Sequence, residues 1–97
     1  MYYRITRDVS GIIKDTGVSQ IVMSHNTARV GYFIQNLGNT PIYINELGQE
    51  ASSNVSPGIG SILLGPRETW PMNGIPVTSF EISVAGTKGC AFAAREW

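Results

Sequence analysis

The sequence predicts an all-β chain, an antiparallel β-sandwich of about seven strands with no substantial helix. Three observations lead there. No window of about eleven residues carries apolar positions at the spacing of a helix face. Aromatic and β-branched residues gather in short runs, and Gly, Pro, Asn and Ser punctuate those runs about every 8 to 12 residues. Segments such as Phe80-Glu81-Ile82-Ser83-Val84 alternate apolar and polar side chains, which is the period of a strand with one wet face.

The elements follow in chain order. Tyr2 to Thr6 and Gly11 to Lys14 are short apolar runs broken by Asp8, Ser10, Asp15 and Gly17. Residues 1–18 are therefore expected to form an N-terminal arm or edge strand, and residues 19–97 the sandwich domain. In Val18 to Ser24, Ile21 and Met23 alternate with Val22, and Ser24-His25-Asn26-Thr27 reads as a polar turn. The stretch Arg29 to Asn45 holds two apolar segments, Val30–Gln35 and Pro41–Asn45, on either side of Asn36-Leu37-Gly38-Asn39-Thr40. Gly38 and Asn39 tolerate turn geometry, so the expectation is a β-hairpin with Pro41 at the head of its strand or on an edge.

Beyond it, Glu46 to Gly58 has few anchors for packing and is expected to be an exposed loop. Gly60 to Leu64 follows as a strand with Ile62 and Leu64 on one face, closed by Gly65-Pro66. Glu68 to Trp70 pairs briefly before a wide loop at Pro71 to Gly74. Phe80, Ile82 and Val84 then point inward, Ala85 to Gly89 makes a hairpin turn, and Cys90, Phe92 and Ala94 form the inner face of a last strand ending at Trp97. Two antiparallel sheets face to face, jelly-roll-like or immunoglobulin-like, accommodate this series.

Composition narrows the function. A chain of 97 residues makes one small domain, and only 14% of its residues are charged, so much of the surface is neutral or covered by protein. Zero formal net charge leaves no electrostatic footprint for nucleic acid. The single cysteine, Cys90, cannot close an internal disulfide. No run of about 18 apolar residues could span a membrane, and the N-terminus lacks the apolar stretch of a signal peptide, so folding is expected in the cytoplasm.

Catalytic patterns are weak. His25 is the only histidine and lies in a polar turn, short of the converging ligands a metal needs. Cys90 shares a strand face with Phe92, where a small buried hydrophobe is the commoner role. The carboxylates Asp8, Asp15, Glu46, Glu50, Glu68, Glu81 and Glu96 could supply a glycosidase-like pair, but they read as solvated surface. Gly86-Thr87-Lys88-Gly89 lacks the spacing and the helix of a phosphate loop. No catalytic residue, metal or cofactor is assigned. Among the aromatic residues, Tyr2, Tyr3, Trp70 and Trp97 are the candidate anchors of a protein interface.

The order RxGxxIQNxGxxPIYIN (Arg29 to Asn45), an Ile-Leu strand closed by Gly-Pro (Ile62 to Pro66), a Pro-Val-Thr loop, an Ile-Ser-Val strand and a closing Arg-Glu-Trp resembles small structural proteins of tailed bacteriophages. The resemblance runs from Ile21 to Trp97. The loop Glu46 to Gly58 and the N-terminal segment depart from it. It implies a β-sandwich that decorates or cements a capsid, or that sits at a head-tail junction or on a fibre, assembled in the host cytoplasm. Partners would be capsid or other virion proteins and further copies of the chain, in a closed symmetric oligomer such as a trimer, with neither nucleic acid nor membrane bound. Host-receptor or carbohydrate recognition, with Trp70 stacking a sugar, is the alternative.

Overall fold

A computed structural model describes residues 6–56, 60–71 and 77–97. Among them there is no helix, and nine short strands form two antiparallel sheets. The strands are β1 (Arg7–Asp8), β2 (Gly11–Ile12), β3 (Gln20–Met23), β4 (Tyr32–Asn36), β5 (Ile42–Asn45), β6 (Ser61–Leu64), β7 (Thr69–Trp70), β8 (Ile82–Gly86) and β9 (Ala91–Glu96). One sheet has the order β1-β9-β4-β7, with β2 also on β9, and the other β3-β8-β5-β6. The chain is wound as one long hairpin: β5 pairs with β6, β4 with β7, β3 with β8, and β1 and β2 with β9. Pairing of β4 with β9 and of β5 with β8 then closes each sheet.

The N-terminal edge is nearly one strand. Arg7 lies opposite Glu96 and Ile12 opposite Ala91 in a single register, and between them Ser10 Oγ replaces the backbone by accepting the Ala94 N–H at 2.9 Å. Ile13, just after it, is fully buried. The proposed strand over Tyr2 to Thr6 lies almost wholly outside the described residues.

Two expected hairpins are instead corners between sheets. β4 belongs to one sheet and β5 to the other, and so do β9 and β8. The alternation of Ile42 and Ile44 gave the buried face correctly, but a period of two does not say which strand lies alongside. Here Ile34 faces the opposite sheet's isoleucines across the interior, where all three are buried. Asn36 fixes the first corner. Its Oδ1 accepts the Gly38 N–H at 2.9 Å, and its Nδ2 donates to Thr40 O at 2.8 Å and to Leu64 O, in the other sheet, at 3.0 Å. Gly38 passes directly over Cys90, so close that a Cβ there would collide with the thiol sulfur.

Three smaller expectations change. A bulge after Ile21 turns both Val22 and Met23 towards the core and leaves Ile21 outside, so Ile21 and Met23 do not share a face. Phe80 precedes its strand and is exposed, because β8 begins only at Ile82. The segment after Glu46 is not simply an exposed loop. Although many of its side chains are exposed, it lies as a strap over the outer face of the β3-β8-β5-β6 sheet, with Ala51 buried. Asn45 Oδ1 accepts the Leu47 N–H, Ser19 Oγ the Ala51 N–H and Ser61 Oγ the Ser52 N–H, at 2.9, 2.9 and 3.2 Å. Outward-facing Asn45, Ser61, Ser83 and Ala85 are buried beneath it.

The core between the sheets is isoleucine-rich, with Met23, Tyr32, Phe92 and Ala94 completing it, and Cys90 is one of its members. Replacing Gly38 by Ala should cost about 1–3 kcal/mol in denaturant unfolding through overpacking against that thiol. Combining it with Cys90→Ala should return part of the loss, a coupling measurable as a double-mutant cycle.

Candidate interaction surface

The winding sends the long connections to one end of the sandwich. Residues 24–31 join β3 to β4, residues 46–60 join β5 to β6, residues 71–81 join β7 to β8, and β9 ends there at Glu96. Short connections, 37–41 and 87–90 among them, occupy the other end.

One side chain ties two of these connections to the end of β9. The Arg29 side chain has no exposed surface, and its Nε donates to Glu96 Oε1 at 3.1 Å. One terminal nitrogen donates to Thr78 O and Phe80 O at 2.8 and 3.0 Å, and the other to Ser24 O at 2.8 Å. Asn26 adds its side-chain amide to Glu96 at 3.3 Å and its backbone N–H to Ser79 O at 2.9 Å. A guanidinium removed from water must find this many acceptors, because an unpaired donor there would cost its full hydration. Exposed Arg7 approaches Glu96 at 4.0 Å, too far and too wet to add much.

Next to it lies a second polar group. The Arg29 guanidinium carbon sits 5.9 Å from the centre of the Tyr32 ring, within cation-π range. The Tyr32 hydroxyl donates to Glu46 Oε2, and Trp70 Nε1 donates to the same oxygen at 3.2 Å. Glu46 opens the strap, so its carboxylate fastens the start of the strap to β4 and β7 of the opposite sheet. Burial, and then the hydrogen bond to and charge of Glu46, push the Tyr32 phenol well above its usual range, with the Trp70 indole N–H and then the Arg29 charge opposing.

Above this base stand exposed apolar side chains: Leu47 at 51%, Phe80 at 50%, Val30 at 45%, Val77 at 39% and Trp97 at 37% exposure. The Phe80 ring lies against Gly48, so the strap and the β7–β8 connection touch. Trp97 lies across Gly31, where any Cβ would enter the indole, and its carbonyl accepts the N–H groups of Val30 and Gly31 at 2.6 and 3.1 Å. Of the sequence's four anchors, Trp97 is thus at this end. Trp70 is half-buried, with its ring against the core and its N–H used internally. Tyr2 and Tyr3 lie outside the described residues.

Reading the sequence missed Arg29, Glu96, Phe80 and Leu47 as members of this end. A signal existed for the first two: they stand at the two extremes of the RxGxxIQN and Arg-Glu-Trp pattern, and the fold brings them together. His25 is exposed and Cys90 buried. Glu50 and Glu81 line one hollow of about 280 Å³ beside Ser19 and Ser83. Among the described residues no three potential metal ligands converge, and no helix is long and apolar enough to cross a membrane. Comparison with protein-family models, curated proteins and solved structures returned no match.

Removing one partner of the buried pair should be severe. Arg29→Met, which also strands three carbonyls, is expected to cost about 3–5 kcal/mol in denaturant unfolding, and Arg29→Met with Glu96→Leu less than the sum of the two single changes. The Tyr32 shift sets a pH dependence. A folded-state pKa raised above the unfolded value gives stability that is complete below about pH 10 and is lost as pH rises beyond it, since the unfolded chain then releases a proton the folded chain keeps. The alkaline fall in unfolding free energy should be shallower in Tyr32→Phe than in the parent.

Proposed function

We propose that this chain is a non-enzymatic structural protein of a tailed-bacteriophage virion, one that binds an assembled capsid and stabilises it through protein-protein contacts. The observation that carries the reading is the long-loop end: exposed apolar side chains on three connections, two of them held from beneath by buried Arg29 and the third by Glu46 bonded to Tyr32 and Trp70. A surface ordered before binding loses little entropy on docking, and a tryptophan, a phenylalanine and aliphatic groups exposed at one end have the composition of an interface centre. The nested pairing of strands is the winding of a jelly roll, the sandwich type we propose here, and that architecture recurs in viral capsid and lectin domains.

The residues that carry the phage resemblance are occupied in folding. Arg29 and Glu96 form the buried pair, Asn36 sets the corner between sheets, and Gly31 receives Trp97. The resemblance therefore speaks for the scaffold and the loops for the role. A protein that binds the assembled lattice better than free subunits stabilises the shell by mass action, and a symmetric oligomer, such as a trimer, multiplies that effect through avidity.

Purified protein should co-sediment saturably with heads of the phage that encodes it and raise the temperature at which those heads release DNA. Phe80→Asp and Leu47→Asp, both at exposed positions, should weaken that binding at least tenfold while leaving the unfolding midpoint within about 0.5 kcal/mol of the parent. Sedimentation with isolated tails alone would place the protein at a junction or fibre instead. Retention on host polysaccharide without affinity for heads, or turnover of a cell-wall substrate, would overturn the proposal.

A further inference from the structure

We propose a second, separate site in this protein, for a neutral saccharide, in the hollow above Tyr43 on the outer face of the β3-β8-β5-β6 sheet. The hollow measures about 310 Å³. That is at the lower end of the range of small-ligand sites, roughly 300–1,000 Å³. Its floor is the half-buried Tyr43 on β5, flanked by Pro41 and by Ala85 of β8.

Three segments build the wall. Thr16 comes from the β2–β3 connection, Ser52 and Ser53 from the strap, and Thr87 from the corner after β8. They are fastened to one another and to the sheet. The Gly17 N–H donates to Gly86 O at 2.9 Å, the Lys88 N–H to Thr16 Oγ1 at 3.0 Å and the Ser52 N–H to Ser61 Oγ at 3.2 Å. Because Thr16 Oγ1 accepts that bond, its own O–H proton is left to donate.

The chemistry selects the ligand. Four hydroxyl side chains surround an aromatic floor, and among the described residues no charged side chain lines the hollow. An ionised ligand would give up hydration without gaining a counter-charge. A purely apolar one would leave the hydroxyls unpaired. A sugar offers both surfaces required, a C–H face to lie on the Tyr43 ring and hydroxyls that both donate and accept. Thr16, Pro41 and Thr87 belong to connections at the end opposite the long loops, and Ser52 and Ser53 to the part of the strap that lies over the sheet face beyond Leu47 and Gly48, so a lattice-bound copy could still hold a saccharide.

The test is a titration of the folded protein with glucose, galactose, mannose, N-acetylglucosamine, their disaccharides and glucuronate, followed by amide NMR shifts. At least one neutral sugar should move the amides of Thr16, Gly17, Tyr43, Ser53 and Thr87 saturably, and glucuronate should bind no better than glucose. Ser53→Arg, at an exposed position, should weaken binding at least tenfold by filling the mouth, as should Tyr43→Ala, whereas Phe80→Asp should leave it unchanged. Shifts that map to Trp70 or to the long-loop end, tighter binding of glucuronate than of any neutral sugar, occupancy by a proline-rich peptide but no sugar, or no shift at these amides would each overturn the assignment.

Discussion

A guanidinium with no exposed surface is the most demanding requirement in this molecule. Arg29 satisfies it by drawing in the last residue of β9, the connection leaving β3 and the connection entering β8. Backbone bonds from Asn26 to Ser79 and from Val30 and Gly31 to Trp97 also join these segments, and the arginine adds bonds to four acceptors that fix how they lie against one another. A buried ion pair is not in general a net gain in stability, since desolvation offsets most of its attraction. What Arg29 supplies is definition: three carbonyls and a carboxylate accept from a rigid planar fork only in one arrangement. The Tyr32–Glu46–Trp70 group continues the same logic into the strap, and Asn36 repeats it at the opposite end with a neutral amide. Apolar burial makes the sandwich compact, and the buried polar side chains decide which loops lie where.

Much of the scaffold can be read from the residues. The absence of a helical period, the inward faces of β5, β6 and β9, the core position of Cys90 and the brief pairing around Trp70 all follow from local pattern. Partner choice does not. Residues 37–41 have the composition of a hairpin turn, yet the segment is a corner, because the decisive bond runs from Asn36 to Leu64, which follows it by 28 positions. Phe80 alternates correctly with Ile82 and Val84 but stands outside the strand, where Gly48 meets it. The strap reads as an open loop because its anchors, Ser19, Asn45 and Ser61, are small polar side chains scattered over three strands or their flanks.

The candidate surface was partly legible. Trp97 is a candidate anchor by residue type, and the structure leaves it partly exposed across Gly31. Trp70 stood out equally by type, yet its indole N–H serves Glu46 inside the fold. Composition counts aromatic groups without saying which have internal partners. Division of labour explains the rest: Asn36, Arg29 and Glu96 hold the corner and the arginine hub, and the longer connections present the apolar groups. In such a sandwich the loops can change partner without disturbing the winding.

The most direct measurement of the central claim is hydrogen-deuterium exchange on the chain bound to intact heads against the free chain. Protection concentrated in residues 24–31, 46–48 and 77–81, with the outer face of the β1-β9-β4-β7 sheet unchanged, is the predicted result. Protection spread over that sheet instead, with the three connections exchanging as they do in the free protein, would contradict it.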